Sequence, residues 1–354
     1  MQLKKIPATI VTGFLGSGKT TLLTNILKQA NGKRLAIIVN EFGALDIDSE
    51  LLRSCPLDCE DETVSQSETN GFYQLANGCI CCTVEEEFLP VMQELILRRD
   101  DIDHILIETS GLALPNPLVQ AFSWPGIKEH CTVDAVITVV DGPAVAAGRY
   151  AHSPEDVEAQ RSADSSLDHD PSLEELLEDQ LSAADLVVIS KNDCLDSYTR
   201  EQVAMMIRDQ VPAAVKMIFV ENGVVDSSLL IGLDSAAEDH IHDTHNHHDD
   251  HHAHGGHHEH AHDHFNSLVV ELGAVNPEKL IASLTTLIDE FNIFRVKGFA
   301  YIDGKPLRQV IQCVGNRIDQ HFDRLWRQDE EKKTQLVFIG KGLDADVIKG
   351  RLAV

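Results

Sequence analysis

Residues 8–28 read ATIVTGFLGSGKTTLLTNILK: an apolar run, a glycine-rich turn and an amphipathic stretch in direct succession. Positions 13–20 satisfy G-x-x-x-x-G-K-[ST] with a strand pattern before and a helical pattern after, the context this motif needs to hold phosphate. No other feature constrains the fold as much, because such a loop works only where a buried strand hands over to a helix. Gly13, Gly16 and Gly18 free the backbone N–H groups around Ser17 to curl about an anion at the helix start, with Thr21 in the same first turn. Lys19 is expected to reach the outer phosphates as a catalytic cation, and the Thr20 hydroxyl to bind Mg²⁺.

The rest of the first 220 residues repeats one rhythm. RLAIIVNEF, HILIETSG, AVITVVDG, DLVVISKND and KMIFVENG are short Val/Ile-rich runs closed by turn or charged residues, with helical stretches such as PSLEELLEDQLSAA between them. Continuous apolar strands joined by helical crossovers predict an α/β fold: a P-loop GTPase with a mostly parallel sheet covered by helices. Ligands then sit at the carboxyl ends of the strands, so the polar residues closing each run are the candidates. Glu41, with Asp46 and Asp48 beyond it, and Glu108 are strand-end acids able to hold Mg²⁺, partly through water, and to act in hydrolysis. A solvated loop is the plain alternative for these acids. Gly111, three residues past Glu108, offers a backbone N–H to a γ-phosphate. Asp141 reads as a turn former instead.

Ser190-Lys191-Asn192-Asp193 resembles the N-K-x-D guanine motif, with Ser in place of Asn. A carboxylate at Asp193 accepts from the guanine N1–H and exocyclic amine, which adenine does not offer, while the Lys191 stem lies along the base. GTP is the expected nucleotide. The strand end Glu221-Asn222-Gly223 is a further candidate for guanine contact.

Cys79, Cys81 and Cys82 fall within four residues, three of the chain's eight cysteines. Thiolates that close favour Zn²⁺, Co²⁺ or Cu⁺, and three of them leave a tetrahedral site open at one position. A redox pair and plain burial are the competing readings. Most of the other five cysteines read as small buried hydrophobes, the candidate exception being Cys55 and Cys59, whose CxxxC spacing in a loop would suit weak metal binding. Between residues 240 and 264 lie thirteen histidines and five acids with no Lys or Arg. Such a segment cannot bury a core, and its His245, His247, His248, His251 and His252 suit loose secondary metal binding, although a soluble linker has similar composition. It separates residues 1–232 from residues 265–354, which read as a small α+β domain, with 233–264 as a flexible linker. Residues 151–172 read as an exposed, partly helical connection.

The formal charge is −28. Such a field repels nucleic acid and anionic lipid. The N-terminal residues carry no secretory pattern, and no apolar run approaches the roughly 20 residues of a membrane helix, so a cytoplasmic protein is expected.

Together, GFLGSGKTTLL, NEFG, NGCICCTV, ETSGLALP, EDQLSAADLVVISKND, the histidine run and the C-terminal RVKGF resemble, in order and over nearly the whole length, the CobW-type GTPases that act as metal chaperones. The resemblance implies a GTPase that binds Co²⁺ at the CxCC motif in its Mg²⁺-GTP state. Release after hydrolysis would supply a metal-accepting client, cobaltochelatase. Zinc-specific relatives share these motifs, and a maturation or metal-storage GTPase is the alternative.

Overall fold

The computed structural model describes residues 4–30, 33–39, 72–74, 88–151, 153, 157, 172–231, 265–327 and 330–352. Glu41, Asp46, Asp48, Cys55, Cys59, Cys79, Cys81, Cys82, the histidine run and nearly all of the 151–172 connection lie outside them.

The N-terminal half is built on a seven-stranded sheet. Its strands are β1 (Ile6–Thr12), β2 (Leu35–Val39), β3 (Phe72–Gln74), β4 (His104–Glu108), β5 (Cys131–Asp141), β6 (Leu186–Ser190) and β7 (Lys216–Phe219), in the order β3-β2-β4-β1-β5-β6-β7. Every pairing among them is parallel. Strands β2, β5 and β6 are buried at every residue, which is why they read as unbroken apolar runs and not as alternation. Helices α1 (Lys19–Lys28), α2 (Leu89–Leu97), α3 (Pro115–Ala121), α4 (Gly142–Ala146), α5 (Leu173–Ser182), α6 (Ser197–Arg208) and α7 (Ser227–Ile231) cover the faces. Sequence starts and stops are local: α5 opens with a capping box in which Ser172 accepts from the Glu175 N–H and Glu175 reaches back to the Ser172 N–H. This is the P-loop GTPase fold expected from the motif order.

The C-terminal part is a five-stranded antiparallel sheet in the order β11-β10-β9-β12-β8. Its strands are β8 (Asn266–Leu272), β9 (Ile293–Ala300), β10 (Leu307–Val314), β11 (Arg317–Leu325) and β12 (Thr334–Gly340). One face carries helices α8 (Pro277–Glu290) and α9 (Ala345–Arg351) over a core including Leu280, Leu284, Val296 and Phe338. The β10–β11 hairpin is absent from the sequence reading. Its strand β11 is half-exposed and rich in charge, so no apolar pattern announces it.

The second sheet meets the first at the end away from the P-loop. Asp134, Asp185 and Lys216 all lie at or near the beginnings of their strands in the parallel sheet, and each is engaged by the C-terminal part. Arg295 Nη2 lies 2.7 and 2.6 Å from the two carboxylate oxygens of Asp134, both side chains being buried. Arg317 Nε donates to Asp185 at 2.6 Å. Lys216 Nζ donates to the carbonyls of Ile288 and Phe291 at 2.8 and 2.9 Å. Phe294 and Val314 complete the apolar cluster that contains Leu22, Ile137 and Ile218.

Beside the Arg295–Asp134 pair, His104 is fully enclosed and its Nε2 lies 2.8 Å from Thr9 Oγ1. Burial pushes its pKa down to about 4, with Arg295 and Lys297 acting in the same direction and Asp134 and Asp103 against it. The unfolded chain therefore binds the proton first as pH falls. Stability contributed by neutral His104 is complete above about pH 6.5, declines as pH falls toward 4 and changes no further below that. The shift corresponds to about 3 kcal/mol. Urea unfolding between pH 4 and 7 should show this decline, and His104→Gln should flatten that part of the profile; an equally steep profile in the variant would sink the assignment.

Candidate nucleotide site

The loop between β1 and α1 owes its shape to its glycines. Gly13, Gly16 and Gly18 have φ of 135°, 75° and 100°. A Cβ on Gly13 would stand 2.1 Å from the Val139 carbonyl oxygen, so the residue is confined to glycine on both counts. Helix α1 starts at Lys19 with no side-chain cap and no acid in its first turn, leaving its leading N–H groups for an anion. Lys19 is buried and its ammonium is held back over the loop, donating to the carbonyls of Gly13 at 2.7 Å and Phe14 at 3.0 Å. The Thr20 hydroxyl donates to Glu108 Oε1 at 2.9 Å. Because β1 and β4 pair with Val11 opposite Glu108, that carboxylate emerges at the same level as the P-loop. These two oxygens are hard donors of the kind Mg²⁺ takes.

Gly111 lies against the same loop, where a Cβ would come within 2.6 Å of the Leu15 nitrogen. On the other side stands Ser190, the departure from the guanine motif. Its Oγ is 2.6 Å from the Ser17 carbonyl and 3.1 Å from that of Val140, so the shorter side chain ties the P-loop to the end of β6. Lys191 has a left-handed backbone, φ 57°, and its ammonium meets Asp141 Oδ2 at 2.5 Å. The other oxygen of Asp141 caps α4 through the Ala144 N–H, in keeping with its reading as a turn former. Asp193 sits in the exposed turn that follows. Cys194 beside it is exposed, whereas Cys131 and Cys313 are the small buried hydrophobes expected of most of the scattered cysteines. The Asp193 carboxylate, 3.5 Å from the Cys194 sulfur, accepts from that thiol and holds its pKa up.

The Glu221–Val224 turn docks on helix α1. Asn222 and Gly223 have φ of 50° and 71°, Asn25 Nδ2 donates to the Asn222 carbonyl at 3.0 Å, and a Cβ on Gly223 would meet Thr21 Cγ2 at 2.8 Å. Thr21 is thus a neighbour of this turn. Asn192 joins the arrangement by donating to Glu221 Oε1 at 2.9 Å. The structure therefore gathers Gly13, Gly16, Ser17, Gly18, Lys19, Thr20, Glu108, Gly111 and Lys191 around one loop. Asn25 and Gln180 (considered below) are structural members that motif reading passed over, and Ser190 and Asn192 take structural roles that the motif does not assign them.

Residues 7–219 match the CobW/HypB/UreG nucleotide-binding domain, and residues 265–354 match the cobalamin synthesis protein CobW C-terminal domain. The chain belongs to the CobW family of P-loop proteins. It is 53% identical to the zinc chaperone CobW of Pseudomonas aeruginosa, covering 99% of this chain and 91% of that one. It is 47% identical to the zinc chaperone CobW of Sinorhizobium sp., covering 95% and 93%. The crystal structure of Zn(II)-bound YjiA GTPase from E. coli is 24% identical with a TM-score of 0.43, over 99% of this chain and 98% of that one. Among the described residues, no helix is long and apolar enough to cross a membrane.

Proposed function

We propose that this chain is a GTP-dependent carrier of a divalent metal ion, with zinc as the cargo. The observation that carries the reading is likeness over almost the full length to proteins named zinc chaperones, in a chain with an intact phosphate loop. The guanine base is recognised by Asp193, with Lys191 held beside it by Asp141. Lys19 exchanges the Gly13 and Phe14 carbonyls for phosphate oxygens and places its positive charge where negative charge develops as the γ-phosphate is cleaved by water. Thr20 and Glu108, together with Glu41, would hold Mg²⁺, which neutralises charge on the outer phosphates.

Cargo is held by the thiolates of Cys79, Cys81 and Cys82 in the GTP state and released after hydrolysis, with His245, His247, His248, His251 and His252 as a loose reserve. On this reading residues 1–232 form the GTPase unit, 233–264 the linker and 265–354 the second domain. Cobalt delivered to cobaltochelatase is the second reading, carried by the family resemblance. The names of the relatives and the weaker place of Co²⁺ in the affinity order favour zinc.

Linkage requires GTP to tighten metal as much as metal tightens GTP, by about 1–3 kcal/mol in a typical coupled pair. Competitive titration of Zn²⁺ and Co²⁺ against a chromophoric chelator, with Mg²⁺-GTPγS or Mg²⁺-GDP, tests this. The expected outcome is a tight one-to-one site that appears with GTPγS and vanishes when all three cysteines are changed to Ser. Metal affinity indifferent to nucleotide would overturn the coupling. A GTP-state site stronger for Co²⁺ relative to its supply would return the cobalt reading.

A further inference from the structure

Helix α5 carries one polar residue on its buried face. Gln180 is fully enclosed among Leu176, Leu177 and Leu181. Its Nε2 lies 3.3 Å from the carbonyl of Gly111 and 3.3 Å from that of Ala113. Both partners are acceptors only, which fixes the orientation of the amide with its nitrogen toward the loop. The main chain at the same residue is pinned to the sheet, since Thr138 Oγ1 donates to the Gln180 carbonyl at 2.7 Å.

The loop that Gln180 grips is tightly constrained elsewhere. Its entry is fixed by the Thr109 N–H to the Val11 carbonyl at 3.0 Å, and by the Thr109 hydroxyl to that of Thr12 at 3.0 Å. At its middle, Gly111 abuts the backbone of Leu15 in the P-loop, and Leu112 shares an apolar cluster with Phe14 and Leu177. Gly111 therefore has the P-loop on one side and a buried amide on the other. The Gly111 N–H lies in the Ser110–Gly111 peptide plane, whose carbonyl accepts from the Ala113 N–H at 3.2 Å. Gln180 holds the carbonyls of the two residues that close this turn, Gly111 and Ala113, and so acts on that N–H through the turn. A polar side chain placed in an apolar helix face costs desolvation, and two weak bonds to loop carbonyls do not recover much of it. Leu or Met would pack the same face more cheaply.

We infer that Gln180 is a positioning residue that sets the aim of the Gly111 N–H and couples the γ-phosphate loop to helix α5. This rests on the reading that the site takes GTP. The same helix end leads within a few residues to Asp185, which receives the Arg317 guanidinium at 2.6 Å. The γ-phosphate loop is thereby joined to an element that also touches the C-terminal sheet.

The test uses the full chain and Gln180→Met, which keeps length and apolar fit but removes the donors. Affinities for Mg²⁺-GTPγS and Mg²⁺-GDP are measured for both proteins. The wild type should prefer the triphosphate, and the variant should lose about tenfold of that preference while its GDP affinity stays within about twofold, the scale of one or two hydrogen bonds. Gln180→Glu, whose carboxylate faces two carbonyls, should not restore it. An unchanged preference with a lowered Tm would make Gln180 structural only and overturn the inference. Should the variant not fold, hydrogen exchange on the unmutated chain decides. GTPγS in place of GDP should alter protection at residues 109–113 and 178–184 together, and a change confined to the first stretch would overturn the coupling. A wild type that binds neither nucleotide removes the GTP reading along with this inference, whereas a wild-type preference kept by the variant removes the inference alone.

Discussion

Replacing Arg295 with methionine should destabilise the chain by about 3–5 kcal/mol, the cost of leaving a buried charge without its partner. Asp134 is fully enclosed, and burial by itself would raise its pKa. The Arg295 guanidinium overrides that and, with His104 and Lys297, holds the carboxyl below the usual carboxylate range. Without Arg295 the carboxylate stays where water cannot reach it. The pair is nevertheless a poor bargain as a source of stability. One nitrogen of Arg295 serves both Asp134 oxygens, while Nε and Nη1 are buried with no hydrogen-bond partner among the described residues. The double change Asp134→Leu with Arg295→Met should therefore recover most of the loss, which urea denaturation of the single and double variants will report. A further sign follows from His104. Arg295 lowers that residue's pKa and Asp134 raises it. Removing the guanidinium leaves the carboxylate to attract a proton onto the imidazole, so the single variant's deficit should be smaller at pH 5 than at pH 8. An Arg295→Met deficit under 1 kcal/mol, or one that grows toward acid pH, would refute this account.

The fold was legible where chemistry is local. The glycine motif, the strand-end acid Glu108 and the apolar runs of β1, β2, β4, β5 and β6 each need only their own residues to be recognised, and the structure places each of these at its expected level in the sheet. Glu108 is an example: a five-residue strand ending in an acid implies a carboxylate at the sheet's ligand edge, and it stands 2.9 Å from Thr20. What stayed hidden depends on distant partners. Nothing in RVKGF announces that its arginine will enter the opposite end of the GTPase sheet and meet an aspartate 161 positions away. Among the described residues strand β3 is three residues long and pairs with β2, too short for any periodicity to register. The β10–β11 turn did leave a signal, the Gly315-Asn316 pair between two extended runs, but β11 (RIDQHFDRL) has apolar residues only at Ile318, Phe322 and Leu325, too few and too unevenly spaced for the alternation that marks a strand. Gln180 is the subtlest case. EDQLSAADL looks like an ordinary amphipathic helix, and only the structure shows the amide on the inward side. Ser190 likewise reads as a mere departure from N-K-x-D until its hydroxyl is seen beside the Ser17 carbonyl, where a compact side chain is enough to tie the P-loop.

Changing Gly13 to alanine should abolish nucleotide binding, with a loss beyond a hundredfold in affinity for both GTPγS and GDP. Two independent costs act at this position. An alanine at φ 135° occupies a backbone region that L residues avoid, a strain of about 1–3 kcal/mol. Its Cβ would also stand 2.1 Å from the Val139 carbonyl oxygen and 3.0 Å from Ser17 Oγ. The first of these contacts is with the backbone of a fully buried strand, which cannot swing aside as a flexible side chain would. Relief must come from the loop moving off β5, and that movement carries away the Gly13 and Phe14 carbonyls that seat Lys19. It also pulls against the Ser17 carbonyl held by Ser190. Phosphate binding by a P-loop depends on several N–H groups converging on one point, so a shift of about 1 Å is costly far beyond the residue that caused it. Gly126 supplies the control: its φ is 88°, but a Cβ there meets nothing within 4 Å. Gly126→Ala should therefore show the dihedral strain as a lowered Tm with nucleotide affinity intact. Isothermal titration with both nucleotides separates the two outcomes, and a Gly13→Ala protein that binds GDP within about threefold of wild type would mean that the loop is free to retreat from Val139 without losing its phosphate geometry.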